Sequence, residues 1–453
     1  MGREPSAAAL RALGERFGER LSVRPADLTA ASRDASSLPG SLADAVVWPL
    51  TTEEVQAVIR LAAPTRIAVT ARGAGSSLEG NPIPVRGGIV LDCSRMTDVV
   101  AIRPEDLQVD VQPGVVYAAL NRQLRPHGLF FPPSPGGSAD VATIGGMVAN
   151  NASGIYSVKY GGTRDHVRAA TVVTGTGEVL RLGNRCRKSA SGYHLLGLLV
   201  GSEGTLAIAT ELTLALAGLP AARRQGGFRF VDAEAAARAT ADLIRFGVDV
   251  AAVEFLDART VAALDRFGGY GLAVAPTLLL EVHGSTAGVD EAWTTTDEVV
   301  RTAGGEAIVL AGGRDVWSIR EHATRAIAAL RPDAATVRVD VAIPIGALPA
   351  LVVRAEAIAA ERGLAVHLFG HAGIGIVHAL VLADDAERPG AEAVRDALVE
   401  AALALGGSCS GEHGMGLGNR RYAEREHGTA LALMRGVKAL FDPHAILNPG
   451  KIW

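Results

Sequence analysis

Six of the 11 histidines in this 453-residue chain fall after residue 366, and several sit beside glycine. The segment HLFGHAGIGIVH carries His367, His371 and His378, and SGEHGMG carries Glu412 and His413. Imidazole is the commonest metal-binding side chain, and two histidines with one carboxylate suit Zn2+ or Mn2+. Spacing alone does not assemble such a site. His371 and His378 are seven apart, which shares a face in a helix, but Gly370, Gly373 and Gly375 disfavour a helix. In a regular strand an odd offset puts them on opposite faces, unless the glycines make a bulge or turn. By spacing alone, hydrogen-bonded core imidazoles are the simpler reading. Glu412 and His413 lie between two glycines, and neighbours on an extended backbone point apart, so they should serve different roles. No HExxH motif is present.

A second set of residues could do chemistry through its backbone. ARGAGSSLEGN (71–81) places small residues after an apolar run, where consecutive N–H groups can face an anion. It is not GxGxxG opening a helix, since Asn81, Pro82 and Pro84 follow, and no Lys-Ser/Thr makes it a Walker loop. Alone it reads as a tight strand connection. PPSPGG (132–137), TIGGMVANNASG (143–154), KYGGTRDHV (159–167) and LLVGSEGTLAI (198–208) add to it. Together they could line a groove for an extended dinucleotide.

The elements around these segments fall into two textures. Residues 6–20 form an amphipathic pattern with Leu10, Leu13 and Phe17 on one stripe. A strand at Ala45–Trp48 leads to N-cap candidates Thr51 and Thr52, with Glu53 and Glu54 in the first helical turn. Short strands follow at Ile67–Thr70, Ile89–Leu91, Leu107–Val111, Thr171–Thr174, Val179–Arg181 and Thr205–Leu214. Between them, 131–166 shows little periodicity, and a structureless loop of that length is usually functional. After Leu216, across a linker at 217–225, strand and helix patterns alternate, as in a second α+β domain. A helix at Thr429–Leu440 closes the pattern.

Composition excludes several classes. A formal net charge of -4 leaves no footprint for nucleic acid. Cys93, Cys186 and Cys409 are too few and too scattered for a disulfide framework or a [4Fe–4S] cluster, so any iron–sulfur relay belongs to a partner. No signal-peptide core and no transmembrane segment is expected, which suits a cytoplasmic protein, with peripheral association at a membrane left open.

Taken jointly, the glycine-rich blocks, from SRDAS (32–36) to NPGK (448–451), resemble the FAD-linked oxidases of the vanillyl-alcohol oxidase/PCMH superfamily. The likeness is to the D-lactate dehydrogenase, glycolate oxidase catalytic subunit and D-2-hydroxyglutarate dehydrogenase group. It implies an α+β fold: a PCMH-type FAD-binding domain of two α+β subdomains (1–215) and an α+β cap with an antiparallel sheet (216–410). A C-terminal segment (411–453) would return to the FAD domain and active site.

The resemblance also implies site residues. The loop Gly73, Ala74, Gly75, Ser76, Ser77 and Leu78 would bind the FAD pyrophosphate. Pro133, Gly145, Gly146, Asn150, Ser153, Gly154 and Asp165 would line the isoalloxazine and ribityl region, and Gly204 and Ile208 the adenine side. Arg72, Val167, Glu203 and Asn448 join the cofactor's surroundings. Covalent-flavin relatives often carry a His in the pyrophosphate loop; Ser76 and Ser77 here imply non-covalent FAD. The metal ligands would be His371, His378 and Glu412, with His413 the catalytic base and His367 structural. Arg320, in WSIREHAT, would grip a substrate carboxylate with Thr324 and Arg338, while Asp340 reads as structural.

Departures accompany the likeness. Ile374, Ile376 and Leu380 stand where the group carries polar residues, and Asn419 replaces a Lys, which allows a more apolar substrate tail or altered metal tuning. The implied reaction is oxidation of a D-2-hydroxyacid, D-lactate, glycolate or D-2-hydroxyglutarate-like, to the 2-oxoacid by hydride transfer to flavin, with electrons passed to a quinone, cytochrome, electron-transfer flavoprotein or partner iron–sulfur subunit. A homodimer is compatible. The competing readings are a non-redox flavoenzyme resembling alkylglycerone-phosphate synthases, a flavin-carrying accessory subunit, and a metallohydrolase.

Overall fold

Apolar stripes and caps account for the first elements of the chain, whose computed structural model describes residues 5–311 and 315–453. Helix Ala7–Phe17 buries Ala9, Leu13 and Phe17, and Ser6 caps it by accepting from the Ala9 N–H. Helix Thr52–Thr65 starts at the N-cap Thr51, whose hydroxyl accepts from Glu54 N, and it buries Val55, Val58, Ile59, Ala62 and Ala63. Both helices pack on a four-stranded sheet ordered Leu21–Ser22, Ala45–Val47, Ile89–Asp92, Val69–Arg72. Its last three strands run parallel.

A second sheet has five strands, all antiparallel, ordered Val99–Arg103, Gln108–Val111, Ala207–Ala215, Val167–Thr174, Val179–Gly183. Each sheet has its own apolar cluster, the second gathering Val109, Leu120, Phe131, Ile144 and Leu212. These two sheets belong to one unit, Met1–Ser153 with Gly161–Leu219 and His413–Trp453. The stretch 131–166 is less irregular than its composition suggests. It holds the short helices Ile144–Asn150, Ser157–Tyr160 and Thr163–His166. Each is too short for a 3.6-residue period to show, and glycines lower the local helix propensity.

The C-terminal tail completes the first unit. Val69 N donates to Ile446 O at 2.8 Å and Asn448 N to Val69 O at 2.8 Å, so the tail extends the edge of the parallel sheet. Helix Ala430–Phe441 supplies a largely covered lysine, Lys438, to hold it. The Lys438 ammonium contacts Asp442 and donates to Thr205 O at 2.6 Å and Leu447 O at 2.8 Å. Asp442 in turn accepts from Ile446 N and Leu447 N.

The second unit, Gly154–Tyr160 with Pro220–Glu412, is built on seven strands, all antiparallel. Their order is Glu306–Ile308, Ala222–Arg229, Thr277–Gly284, Val250–Leu256, Val366–His371, Ile376–Ala383, Ala335–Ala342. Helices Thr286–Thr302, Ala233–Arg245, Leu348–Ala360 and Arg388–Ala404, side by side in that order, form one layer against it. Helices Ala258–Gly268 and Trp317–Ala328 pair with each other. They pack on the sheet face that carries Leu256, Leu279, Phe369 and Leu380.

Among the described residues no helix is long and apolar enough to cross a membrane. Cys93 and Cys409 are buried and Cys186 exposed, all as free thiols.

Removing the Asp442 carboxylate leaves the Lys438 charge buried without its counter-ion and two tail N–H groups without an acceptor. Asp442→Ala should therefore cost about 3–5 kcal/mol of unfolding free energy in urea titrations. Leu433→Ser, at an exposed position of the same helix, should stay within about 0.5 kcal/mol of the wild type.

Candidate active site

Strand register solves the seven-residue spacing of His371 and His378. The two histidines lie on adjacent strands joined by a tight turn, Ala372–Ile374, with Gly375 at φ 74°. A Cβ on Gly375 would meet Ile343 O at 2.1 Å, and one on Gly370 would meet Ile376 O at 2.3 Å, so both positions need glycine. Phe369 pairs with His378, His378 with Asp340, and Glu254 with His371. Directly paired residues project to the same side of a sheet, so all five share one face.

Glu412 reaches this face from the segment after Gly407. Ser408 exchanges backbone hydrogen bonds with Ala342, and Asp340 Oδ2 then accepts from Gly411 N at 3.0 Å and Glu412 N at 2.8 Å. Ile376 backs Gly411 closely. The Glu412 carboxylate stands 3.3 Å from His371 Nε2 and 3.5 Å from His378 Nε2. One ligand atom from each of the three lies within 4.8 Å of the others. Outside these atoms, His371 Nδ1 bonds Glu254 Oε1 at 2.6 Å, and His378 Nδ1 stands 3.2 Å from Asp340 Oδ1. Carboxylates behind both histidines are the support a metal-binding imidazole uses, so the residues fit a Zn2+ or Mn2+ ion. Burial lowers the His371 pKa, but the Glu254 and Glu412 charges outweigh it and raise it to about 10. Glu412 is lowered to about 2, chiefly because His371 overcomes its desolvation.

Arg320 enters from helix Trp317–Ala328. Its Nε donates to Glu254 Oε2 at 2.5 Å and its guanidinium lies 4.8 Å from the Phe369 ring centre. Among the described residues its Nη groups make no further hydrogen bond, so that edge can meet a carboxylate. Thr324 is exposed one turn further along the helix. Arg338 is half-buried in register with Leu380, two residues before Asp340. Leu380 itself is buried with Phe369 and Leu382 in the apolar cluster. His367 lies four residues before His371 in the same strand, about 13 Å away along it.

In the first unit, residues 73–78 follow strand Val69–Arg72. Among the described residues, none of their backbone N–H groups donates a hydrogen bond within the protein. Unspent, half-exposed N–H groups in a small-residue loop fit a pyrophosphate. Asp34 pins the loop: its Oδ2 accepts from Ser77 Oγ at 2.9 Å and Gly80 N at 2.8 Å. The Arg72 guanidinium packs against the loop, where a Cβ on Gly75 would meet its Nη2 at 2.1 Å, and it donates to Arg33 O at 2.7 Å. Gly73 lies against Thr143, whose hydroxyl a Cβ would meet at 2.3 Å, and Gly145 lies equally close to Pro113. The structure thus brings the loop and the TIGG segment together.

Gly204, at φ 68°, faces Ala71. Ile208 and Val167 are buried in the two apolar clusters, and Pro133 is buried. Gly146 N donates to Thr143 Oγ1, and Asp165, exposed, accepts from Gly162 N. Gly154 begins the short segment that belongs to the second unit.

Glu203 and Asn448 have their polar atoms engaged by the chain. Glu203 accepts from Met415 N, Gly416 N and Asn81 Nδ2, and Asn448 donates to Asn81 O and Glu203 O. These bonds, with Asn150 Nδ2 donating to His413 O at 3.2 Å, anchor the backbone around His413. Asn419, where the group carries Lys, caps Gly414 O. Glu412 N is thus held by Asp340 and His413 O by Asn150.

Sequence pattern alone does not single out Asp34 or Glu254, and it gives Asp340 only a structural role. A signal exists for Glu254: it is the one charge in the apolar run VAAVEFL, and a carboxylate in such a strand must find partners.

The chain is similar to two described families: FAD linked oxidases, C-terminal domain, over residues 219–452, and FAD binding domain, over 43–183. It is 37% identical over 420 residues to the probable mitochondrial D-lactate dehydrogenase of Danio rerio, covering 90% of this chain and 84% of that protein. It is 34% identical to a D-lactate dehydrogenase of Anaerostipes hadrus, covering 90% and 89%. Against the glycolate oxidase subunit GlcD of Bacillus subtilis it is 32% identical, covering 93% and 91%. Among solved structures, p-cresol methylhydroxylase with substrate bound has a TM-score of 0.81 at 17% identity, covering 98% of this chain and 96% of that one. An alkyldihydroxyacetonephosphate synthase has 0.79 at 20%, covering 99% and 86%. At such identities these two establish the fold alone.

Asp34→Ala removes the acceptor that holds Ser77 and Gly80. FAD affinity, read by flavin fluorescence titration, should fall about tenfold or more, since a hydrogen bond to a charged group contributes about 1.5–3 kcal/mol.

Proposed function

The chain belongs to the FAD linked oxidases, and on that premise we propose that it oxidises a D-2-hydroxyacid of the D-lactate or glycolate kind to the 2-oxoacid. FAD, bound without a covalent link, would supply the hydride acceptor at the reacting carbon. The names of the relatives, at 32–37% identity over about nine-tenths of the chain, support the reaction class. Ser76 and Ser77 in the loop support non-covalent binding, since neither offers an imidazole to a flavin methyl.

The observation that carries the reading lies in the second unit. A two-histidine, one-carboxylate cluster is joined through Glu254 to an arginine whose Nη edge is uncommitted. Arg320 would hold the substrate carboxylate by a bidentate fork, and that fork selects an acid over an alcohol. A Zn2+ or Mn2+ ion on His371, His378 and Glu412 would supply positive charge for the substrate's hydroxyl oxygen. His413 would take the hydroxyl proton as general base, and the α-hydrogen would leave with its electron pair. Thr324 and Arg338 are assigned to substrate binding beside Arg320. Electrons would then pass to an acceptor of the quinone, cytochrome, flavoprotein or iron–sulfur type.

A non-redox reaction on the same fold is the competing reading, favoured by Ile374 and Ile376 near the cluster. Anaerobic mixing with a panel of D- and L-2-hydroxyacids decides: bleaching of the flavin by D-acids or glycolate supports oxidation, and no bleaching by any acid sinks it. His413→Ala should slow flavin reduction by about 10²–10⁴-fold with FAD content unchanged. Dialysis against a chelator should lower the bleaching rate, and added Zn2+ or Mn2+ should restore it.

A further inference from the structure

Glu254 stands on the sheet face of the second unit that carries His371, His378 and Asp340, with 0% of its surface exposed. A buried carboxylate is tolerated only when both oxygens are well bonded. Here the two oxygens hold two different groups. Oε1 bonds His371 Nδ1 at 2.6 Å, and Oε2 accepts from Arg320 Nε at 2.5 Å. With a metal ion bound, the first bond would hold the one remaining ring proton of His371 on Nδ1 and leave Nε2, beside Glu412, to the ion. The second holds the guanidinium by its Nε, against the Phe369 ring, and leaves the Nη edge pointing elsewhere.

We infer that Glu254 is a positioning residue that sets the metal-binding face of His371 and the carboxylate-binding edge of Arg320 at once. The inference rests on the metal and clamp roles proposed above. Its consequence is specific: one substitution, at a residue that touches neither cation nor substrate, should weaken both.

The test uses the full-length FAD-loaded protein and its Glu254→Gln variant, with two ligands measured separately. Zn2+ affinity is read by competition with a chromophoric chelator, and pyruvate affinity by perturbation of the flavin spectrum. Glu254→Gln should lose about 10–100-fold in Zn2+ affinity, the usual effect of removing support behind a metal-binding histidine. Its dissociation constant for pyruvate should rise at least about tenfold, the loss of one charge-assisted contact. Glu254→Asp, which keeps the charge but shortens the reach, should lie between, and it serves as the test should the Gln variant fail to fold. Wild-type affinity for both ligands in the variant overturns the inference. Should wild type itself take up no Zn2+, the metal reading falls. Glu254 is then judged on pyruvate alone, where parity between variant and wild type overturns its role.

Discussion

A carboxylate taken out of water must find donors, and in this protein the donors belong to the segments proposed to carry chemistry. Asp340 takes the backbone N–H groups of Gly411 and Glu412 on its carboxylate. Glu254 takes an imidazole and a guanidinium. Glu203 takes two N–H groups just beyond His413, and Asp34 fixes the loop at 73–78. Glycine-rich backbone is free to approach a cofactor or ion because it lacks side chains, and for the same reason it cannot hold itself in place. Acids elsewhere in the fold, buried ones at Glu203, Glu254 and Asp340 and a half-buried one at Asp34, provide that restraint.

The same division explains what could be read from the residues alone. Sheet strands with a run of Val, Ile and Leu, and helices with stripes such as Val55, Val58, Ile59 and Ala62, are visible because their periods are local. The five glycine-rich blocks were legible only jointly, since each alone is an ordinary turn. His371, His378, Glu412 and Arg320 were nameable through the family likeness, but their assembly was not. A seven-residue offset becomes a shared face only once Phe369 pairs with His378 across a turn, and register is a tertiary property.

Asp34 and Glu254 escaped for a related reason. Their partners lie 43 and 117 residues away, at Ser77 and His371, so no local pattern marks them. The stretch 131–166 was misleading in the opposite direction. Its glycines suggested an unstructured loop, whereas Thr143 caps a seven-residue helix whose Ile144, Met147 and Val148 are buried. Leu380 was a departure that hinted at substrate preference, and its place in the apolar cluster gives it a packing duty as well.

Tail docking also sets a timetable for the nascent chain. Asn448 binds the Asn81 carbonyl across 367 residues, and all of Pro220–Glu412 is translated between the two. At about 5–20 residues per second, a ribosome needs ~20–70 s to travel from one to the other. Through that interval strand Val69–Arg72 has an open edge, the kind of surface that invites mispairing. The second unit is by then long enough to fold, while the parallel sheet still waits for Leu447. Completion of the parallel sheet therefore belongs to the final stage of the protein's birth, after translation has delivered the segment around Leu447.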